Sequence, residues 1–332
     1  MKIFITMPRN PQSDSFLTPN AMEKLRALGQ VDQNPYDRQL EVDEVVELAK
    51  DADVLITSWG SCKYFKKDIE KMPNLKMIAH AGGTVATVAA PDVYETNVKV
   101  ISGNDVFAKS VAEGCLCYIL SALRRLEHYM GVMREGGFRT NVFENRGLFG
   151  KKLGIVGFGT IARHLLNLIR WFDLEVLIYS SHLTDEEAAT YGGRTASLEE
   201  IFSECDVISI HAANTERTRG MITRELMERM KSDALLVNTA RGAVIDEPAM
   251  FEMLLAGRFY AALDVYAEEP PAPDAPIRQC KNALLMPHMG GPTMDMRGVV
   301  TTELCKDIAR MQKGEPLQYE INAAAAKRMT GA

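Results

Sequence analysis

The chain has 332 residues, 46% of them hydrophobic and 25% charged, with a formal net charge of −6. That length predicts two domains. The acidic balance argues against a nucleic-acid binder, and no apolar run approaches the roughly 20 residues a membrane span needs. Met1 leads straight into a strand-like run without a signal-peptide pattern, so a cytoplasmic protein is expected. Six cysteines (62, 115, 117, 205, 280, 305) show neither metal-ligand nor disulfide-framework spacing, which fits a reducing compartment. Cys115 and Cys117 are expected to pack as small apolar residues in a buried helix.

Lys2 to Thr6 reads as a buried strand. Asn20, with Glu23 three residues on, reads as a helix start and Gly29 as its end. Val42 to Lys50 has helical spacing and Val54 to Thr57 is the next strand. Met77 to Ala79 is a strand running into Ala81-Gly82-Gly83-Thr84. Val98 to Ile101 is another, ending at Ser102-Gly103-Asn104. Short apolar strands alternating with helices predict a parallel sheet covered on both faces. This segment lacks a phosphate-binding turn of its own, so it reads as the substrate-side domain. Lys109 to Met133 is a long helix, apolar over more than one face, which fits either a deep core or a partner. It leads through Gly136-Gly137 and an irregular stretch, Phe138 to Gly150, to the second domain.

That domain opens with KLGIVGFGTIARHLLNLIRWFDLEVLIY, Lys152 to Tyr179. The order is strand, glycine turn, helix, strand, the first half of a dinucleotide-binding fold. Gly157 permits a tight turn, Gly159 a close approach to a pyrophosphate, and Ala162 close packing of helix on sheet. The phosphates would sit on the helix N-terminus, at Thr160 and Ile161. Beyond it come a helix capped by Ser197 with Glu200, a strand Val207 to Ile210 ending at His211, and a helix Thr223 to Met230. A strand Ala234 to Asn238 ends in Thr239-Ala240-Arg241-Gly242. A helix Glu247 to Ala256 is closed by Gly257, and strands Ala261 to Val265 and Ala283 to Met286 follow, the latter ending at Pro287-His288. Ser180, His211, Thr239, Arg241, Asp264 and His288 therefore collect at the C-terminal ends of strands, where open α/β sheets bind ligands. A last helix, Met294 to about Gln312, is expected to return to the first domain. The expected division is 1–103 plus 291–332 for the substrate domain and 104–290 for the cofactor domain.

GIVGFGTIA (154–162), VNTARGAVID (237–246), ALDVYAEEP (262–270) and PHMGG (287–291), in this order, resemble the D-isomer-specific 2-hydroxyacid dehydrogenases across nearly the whole chain. The resemblance implies two doubly wound parallel-sheet domains, a Rossmann cofactor domain inserted in a flavodoxin-like substrate domain. It also implies NAD(P)-dependent interconversion of a small 2-keto acid and its D-2-hydroxy acid, and a homodimer built around the Lys109 to Met133 helix and the Phe138 to Gly150 excursion. Substrate is expected between the domains, with closure excluding water.

By the same resemblance, Arg241 would hold the substrate carboxylate and polarise the keto oxygen, a task suited to a planar fork. His288 would be the acid/base. Glu269, rather than its neighbour Glu268, would be the carboxylate paired with it, since a nearby negative charge favours imidazolium. Asp264 would orient the nicotinamide carboxamide. Gly82, Gly83 and Thr84 would take the substrate carboxylate on backbone N–H groups. Gly157, Gly159, Thr160, Ile161, Ser180, Ser181, His211, Thr239, Ala240, Asp264 and His288 form the expected cofactor site.

Four positions depart from the family pattern. Thr84 stands where a glycine is common, and His80 where a basic or small residue is. His211-Ala212-Ala213-Asn214-Thr215 replaces a proline-containing run. The second strand of the cofactor motif ends Tyr179-Ser180-Ser181-His182 instead of in an acid that would bind the ribose. Either NAD or NADP is expected, with a lean towards NADP because no strand-end acid repels a 2′-phosphate, although Asp185, Glu186 and Glu187 follow closely. The rival readings are a non-enzymatic dinucleotide-sensing protein and a dehydrogenase of another oxidisable acid, such as formate or phosphite, on the same scaffold.

Overall fold

The computed structural model describes residues 1–138 and 144–330. Part of the Phe138 to Gly150 excursion therefore lies outside the described residues. The chain divides into two compact units, Met1–Ser110 with Pro292–Ala332, and Val111–Gly291.

The first unit is built on five parallel strands: β1 (Lys2–Ile5), β2 (Gln30–Gln33), β3 (Val54–Thr57), β4 (Met77–His80) and β5 (Lys99–Ser102). Their order, β2-β1-β3-β4-β5, is the flavodoxin-like winding. β3 and β4 are buried along their whole length, as the apolar runs VLIT and MIAH require. Alternation of side chains separates two cores. Ile3, Ile5, Ile56 and Ala79 pack on one face with Val300 and Leu304 of the helix Met294–Lys313. Phe4, Leu55, Ile78 and Val100 pack on the other with Tyr64. β2, sequence QVDQ, is an edge strand that alternates between half-buried and exposed. It is absent from the sequence reading because it has too little apolar content to announce itself.

The first long helix of this unit is Pro19–Leu28, and its cap is Thr18, not Asn20. Proline's fixed φ and missing N–H suit the first helical position, which moves the cap two residues back, from Asn20 to Thr18. Helix Met294–Lys313 is closed by Gly314 at φ +68°, left-handed backbone that glycine adopts without strain. Asp307 of that helix is fully buried. It accepts N–H bonds from Gln318 (2.9 Å) and Tyr319 (2.6 Å) and pairs with Arg310 (2.6 Å), so it pins the segment after the helix to it.

The second unit carries seven parallel strands: β6 (Lys152–Val156), β7 (Glu175–Tyr179), β8 (Gly193–Thr195), β9 (Val207–Ile210), β10 (Leu235–Asn238), β11 (Tyr260–Leu263) and β12 (Ala283–Leu285). Their order, β12-β11-β10-β9-β6-β7-β8, is the Rossmann winding, with the reversal of direction between β6 and β9. The short strand β8, GRT, is a second one the sequence reading does not contain.

The expected single helix over Lys109 to Met133 is two. Asn104–Arg124 and Leu126–Arg134 are separated by Arg125 in left-handed backbone at φ 52°. Arg125 pairs with Glu144 and lies over the Tyr260 ring. The first helix is long and apolar enough by composition to cross a membrane, but Cys115, Ile119 and Leu123 are buried in the core of this unit. The second has no buried residue. Cys115 is buried as expected; Cys117, two residues on and on the other side of the helix, is exposed.

Replacing Asp307 with alanine strands two backbone N–H groups and an arginine, which should cost about 2–3 kcal/mol. Urea denaturation of the variant should show that loss; an unchanged midpoint would mean the buried carboxylate is not an anchor.

Candidate active site

The C-terminal ends of β6, β9, β10, β11 and β12 carry the residues singled out above, and specific close approaches hold their loops. Gly157, after β6, has φ +94°, and a side chain there would lie 2.6 Å from the Ala212 amide nitrogen. The turn thus rests on the backbone of the loop after β9. His211 lies in that loop: its N–H bonds the Val156 carbonyl at 2.7 Å, and its Nε2 is 2.9 Å from Ser209 Oγ. Burial pushes its pKa down to about 4, so the ring is neutral at pH 7. His211 supports the glycine turn from below.

At β10 the last strand residue, Asn238, grips its own loop. Its side-chain carbonyl accepts from the Ala240 N–H at 3.0 Å and its amide donates to the Arg241 carbonyl at 3.0 Å. Arg241 Nη1 donates to the Ala240 carbonyl at 2.6 Å, and it has no ion pair among the described residues. Burial lowers its pKa, and the nearby Glu269 charge opposes that shift. Gly242 admits no side chain, because a Cβ would collide with the peptide between Tyr266 and Ala267. The Arg241 loop is therefore packed directly on the loop that bears Glu269.

Glu269 is held at both oxygens. Oε1 accepts the Tyr266 N–H at 3.0 Å, and Oε2 lies 2.6 Å from His288 Nδ1. Among the described residues Glu268 makes no contact with His288. A further carboxylate, Glu247, accepts the Ala267 N–H at 2.8 Å. Its pKa is raised by burial and then by the Glu269 charge. In the sequence Glu247 carries no signal of this contact, because an acid at a helix start reads as a dipole partner.

His288 adopts left-handed backbone, φ 56°, which costs a non-glycine residue about 1 kcal/mol or more. Asp264 enforces it. The Asp264 carbonyl accepts the His288 N–H at 2.9 Å, and its buried carboxylate takes the N–H groups of Met289 (2.7 Å) and Gly290 (2.8 Å). Tyr118 Oη also donates to it at 3.4 Å. A side chain on Gly290 would lie 2.7 Å from that carboxylate. The histidine side chain is 50% exposed and that of Glu269 36%, so the pair opens to the surface of the unit.

Room for a dinucleotide is visible in two features. Gly159 caps the helix Thr160–Ile169, and a Cβ there would touch nothing within 4 Å. Thr239 Oγ1 is buried without a hydrogen-bond partner. Ala162 is fully buried against the sheet, as the motif requires. Ser180 and Ser181 follow β7 directly. Arg163, which no motif marks in the sequence, lies beside the glycine turn: its guanidinium is 4.3 Å from the Phe158 ring and 5.6 Å from that of Tyr191, and it pairs with Glu187 at 2.7 Å.

In the first unit, Gly82 sits on His80 so closely that a Cβ would collide with the imidazole. His80 Nδ1 is 2.9 Å from Thr57 Oγ1. Ser102 Oγ lies 3.0 and 2.8 Å from the Gly82 and Gly83 carbonyls, its one proton serving one of them at a time. Thr84, the departure noted in the sequence, donates from Oγ1 to the Thr330 carbonyl at 2.8 Å, tying this loop to the end of the chain.

Residues 116–290 match the family model described as D-isomer specific 2-hydroxyacid dehydrogenase, NAD binding domain. The chain is 32% identical over 272 residues to a hydroxypyruvate reductase of Thermotoga maritima, covering 81% of this chain and 88% of that protein. It is 31% identical over 324 residues to a D-3-phosphoglycerate dehydrogenase of Methanocaldococcus jannaschii, covering 97% of this chain and 59% of that protein. Against that relative, then, it spans well under two thirds of the length. A solved acyclic imino acid reductase, in complex with NADPH and D-Arg, shares the fold with a TM-score of 0.81 at 22% identity, over 97% of this chain and 100% of that one. The protein belongs to the D-isomer-specific 2-hydroxyacid dehydrogenase family, and its second unit is that family's nicotinamide-dinucleotide-binding domain.

Burial pushes the His80 pKa down to about 4 from its ordinary 6.5. The unfolded chain therefore binds the extra proton first, and this stability is complete above about pH 6.5 and lost as pH falls towards 4. The loss from this residue approaches about 3 kcal/mol. Unfolding free energies measured between pH 7 and 4 should decline less steeply in a His80→Asn variant, and an identical slope would refute the assignment.

Proposed function

We propose that the protein interconverts a small 2-keto acid and the D-2-hydroxy acid, with a nicotinamide dinucleotide as partner in the reaction. The observation that carries this reading is the 2.6 Å contact between His288 Nδ1 and Glu269 Oε2, on a loop packed against the one bearing Arg241. When bound, the dinucleotide supplies or accepts the hydride. The protein's part is proton and charge management. Glu269 fixes Nδ1, which leaves Nε2 as the nitrogen that gives a proton to the keto oxygen and retakes it in reverse. Arg241 holds the carboxylate and draws charge from the keto oxygen; its partial burial makes each bond to an anion stronger than at an open surface. In the first unit, the Gly82-Gly83-Thr84 loop would offer backbone N–H groups to a carboxylate, as the family resemblance implies. Asp264 acts through the backbone it grips, setting the direction of His288.

NADP(H) is the preferred cofactor in this reading. What supports it is the Ser180-Ser181 strand end, which carries no acid, and the Arg163 guanidinium stacked on the glycine turn. Glu187 competes for that guanidinium. A homodimer is part of the proposal, supported by the exposed Leu126, Met130 and Met133 on one helix.

His288→Ala should lower kcat at least a hundredfold with glyoxylate, hydroxypyruvate or pyruvate while cofactor binding is kept. Unchanged turnover would refute the role, and cofactor binding without turnover on any keto acid would favour a dinucleotide-sensing protein instead. For the cofactor preference, Glu187→Gln should raise the ratio of kcat/KM for NADPH over NADH several-fold; a fall in that ratio, or a wild-type preference for NADH, would overturn it.

A further inference from the structure

Asp246 and Glu247 stand at the start of the helix Glu247–Leu255, and only the first of them serves it. Asp246 is the cap: its carboxylate accepts the Ala249 N–H at 3.2 Å, and its own N–H bonds the Ile222 carbonyl at 2.9 Å. Glu247 reaches away from the helix instead. Its Oε1 accepts the Ala267 N–H at 2.8 Å, in the loop after β11. The preceding amide, that of Tyr266, is held by Glu269 Oε1 at 3.0 Å. Two carboxylates from separate segments thus grip consecutive amides of one loop. The peptide between those amides rests on Gly242, where a Cβ would collide with it.

An acid in a first helical turn normally carries its charge easily, because free N–H groups point at it. Glu247 does the opposite: burial, and then the Glu269 charge, raise its pKa. Among the described residues it has no ion pair. A second negative charge is therefore held beside Glu269 without a cation of its own, an arrangement that costs stability and is characteristic of functional sites. The other charged or titrating groups around the His288–Glu269 pair are engaged elsewhere. Asp264 has its oxygens on the Met289, Gly290 and Tyr118 donors. Tyr266 donates from Oη to the Met286 carbonyl at 3.1 Å, and burial pushes its pKa up to about 12, so it is neutral. Arg278, whose charge reaches Tyr266, donates to the Ala272 and Pro271 carbonyls. Arg241 faces Glu269 and is given to the substrate in the proposed reaction. Glu268 is exposed to solvent, which screens it. Glu247 remains.

We infer that Glu247 is a positioning residue for the His288–Glu269 pair. Its hydrogen bond keeps the turn from Tyr266 to Glu269 in place, and its charge, standing behind Glu269, helps hold on His288 the proton that the keto oxygen will take. This rests on the keto-acid reading above. A unit charge one carboxylate removed from a half-exposed imidazole moves its titration by about half a pH unit. Glu247 therefore sets the range of pH over which the reduction runs more than its rate at the optimum.

Two variants separate the bond from the charge. Glu247→Gln keeps an acceptor for the Ala267 N–H and removes the charge, while Glu247→Ala removes both. Initial rates of keto-acid reduction are measured with glyoxylate and hydroxypyruvate from about pH 6 to about pH 10. In Glu247→Gln the alkaline fall of kcat/KM should come about half a pH unit earlier than in the unaltered protein, with kcat at the optimum within about twofold. Glu247→Ala should in addition lose roughly tenfold in kcat, because the turn is no longer held. Glu268→Gln, which removes the exposed charge next to Glu269, should leave the profile in place. An NMR titration of the His288 ring in the same proteins reads the same displacement without turnover. An alkaline limb in Glu247→Gln that coincides with that of the unaltered protein, or a displacement matched by Glu268→Gln, would overturn the inference and leave the keto-acid reading standing. If neither keto acid is turned over, that reading falls and the ring titration decides: a displaced curve supports the action of Glu247 on His288, and a coincident one overturns it.

Discussion

One buried carboxylate sets the geometry on which the candidate site depends. Asp264 directly follows β11 and holds the two amides after His288 in its side chain and the amide of His288 itself in its carbonyl. Those bonds stabilise a left-handed histidine that would otherwise relax to ordinary backbone. Glu269, five residues further along the same segment, can meet Nδ1 only because the ring is presented in that orientation. Asp264 Oδ1 takes the Met289 N–H and the Tyr118 O–H and Oδ2 takes the Gly290 N–H, so the carboxylate is held rigidly by the protein; the role at the nicotinamide that the resemblance implies belongs to the proposal.

Buried His80 and half-buried His211 show low-polarity surroundings used for neutrality. His80 and His211 both lie at strand ends, and both are kept uncharged by their surroundings. Each lies against a glycine turn, His80 beneath Gly82 and the His211 segment beneath Gly157. A charged imidazole in either position would need a carboxylate close to backbone N–H groups that the proposed function reserves for an anionic ligand. His288, half exposed and facing a carboxylate, is the one suited to exchange protons.

The sequence made the inner strands of both sheets legible, because buried parallel strands are short apolar runs and glycine turns mark their ends. β2 and β8 were invisible since edge strands of four and three residues can be polar. The break at Arg125 left no trace, because the residues on both sides favour helix and the left-handed residue is an ordinary arginine held by tertiary contacts. Glu269, which the resemblance picks out by its position before Pro270, is the glutamate that meets His288 Nδ1. The setting of Arg163 was not readable, since it depends on the Phe158 and Tyr191 rings that the fold brings to it.

The bond from Thr84 to Thr330 joins a loop near the middle of the first unit to a carbonyl almost at the end of the chain. Residues 246 positions apart in sequence are thereby coupled, so a displacement of the backbone at Thr330 is felt at the glycine loop without any change in the loop's own residues.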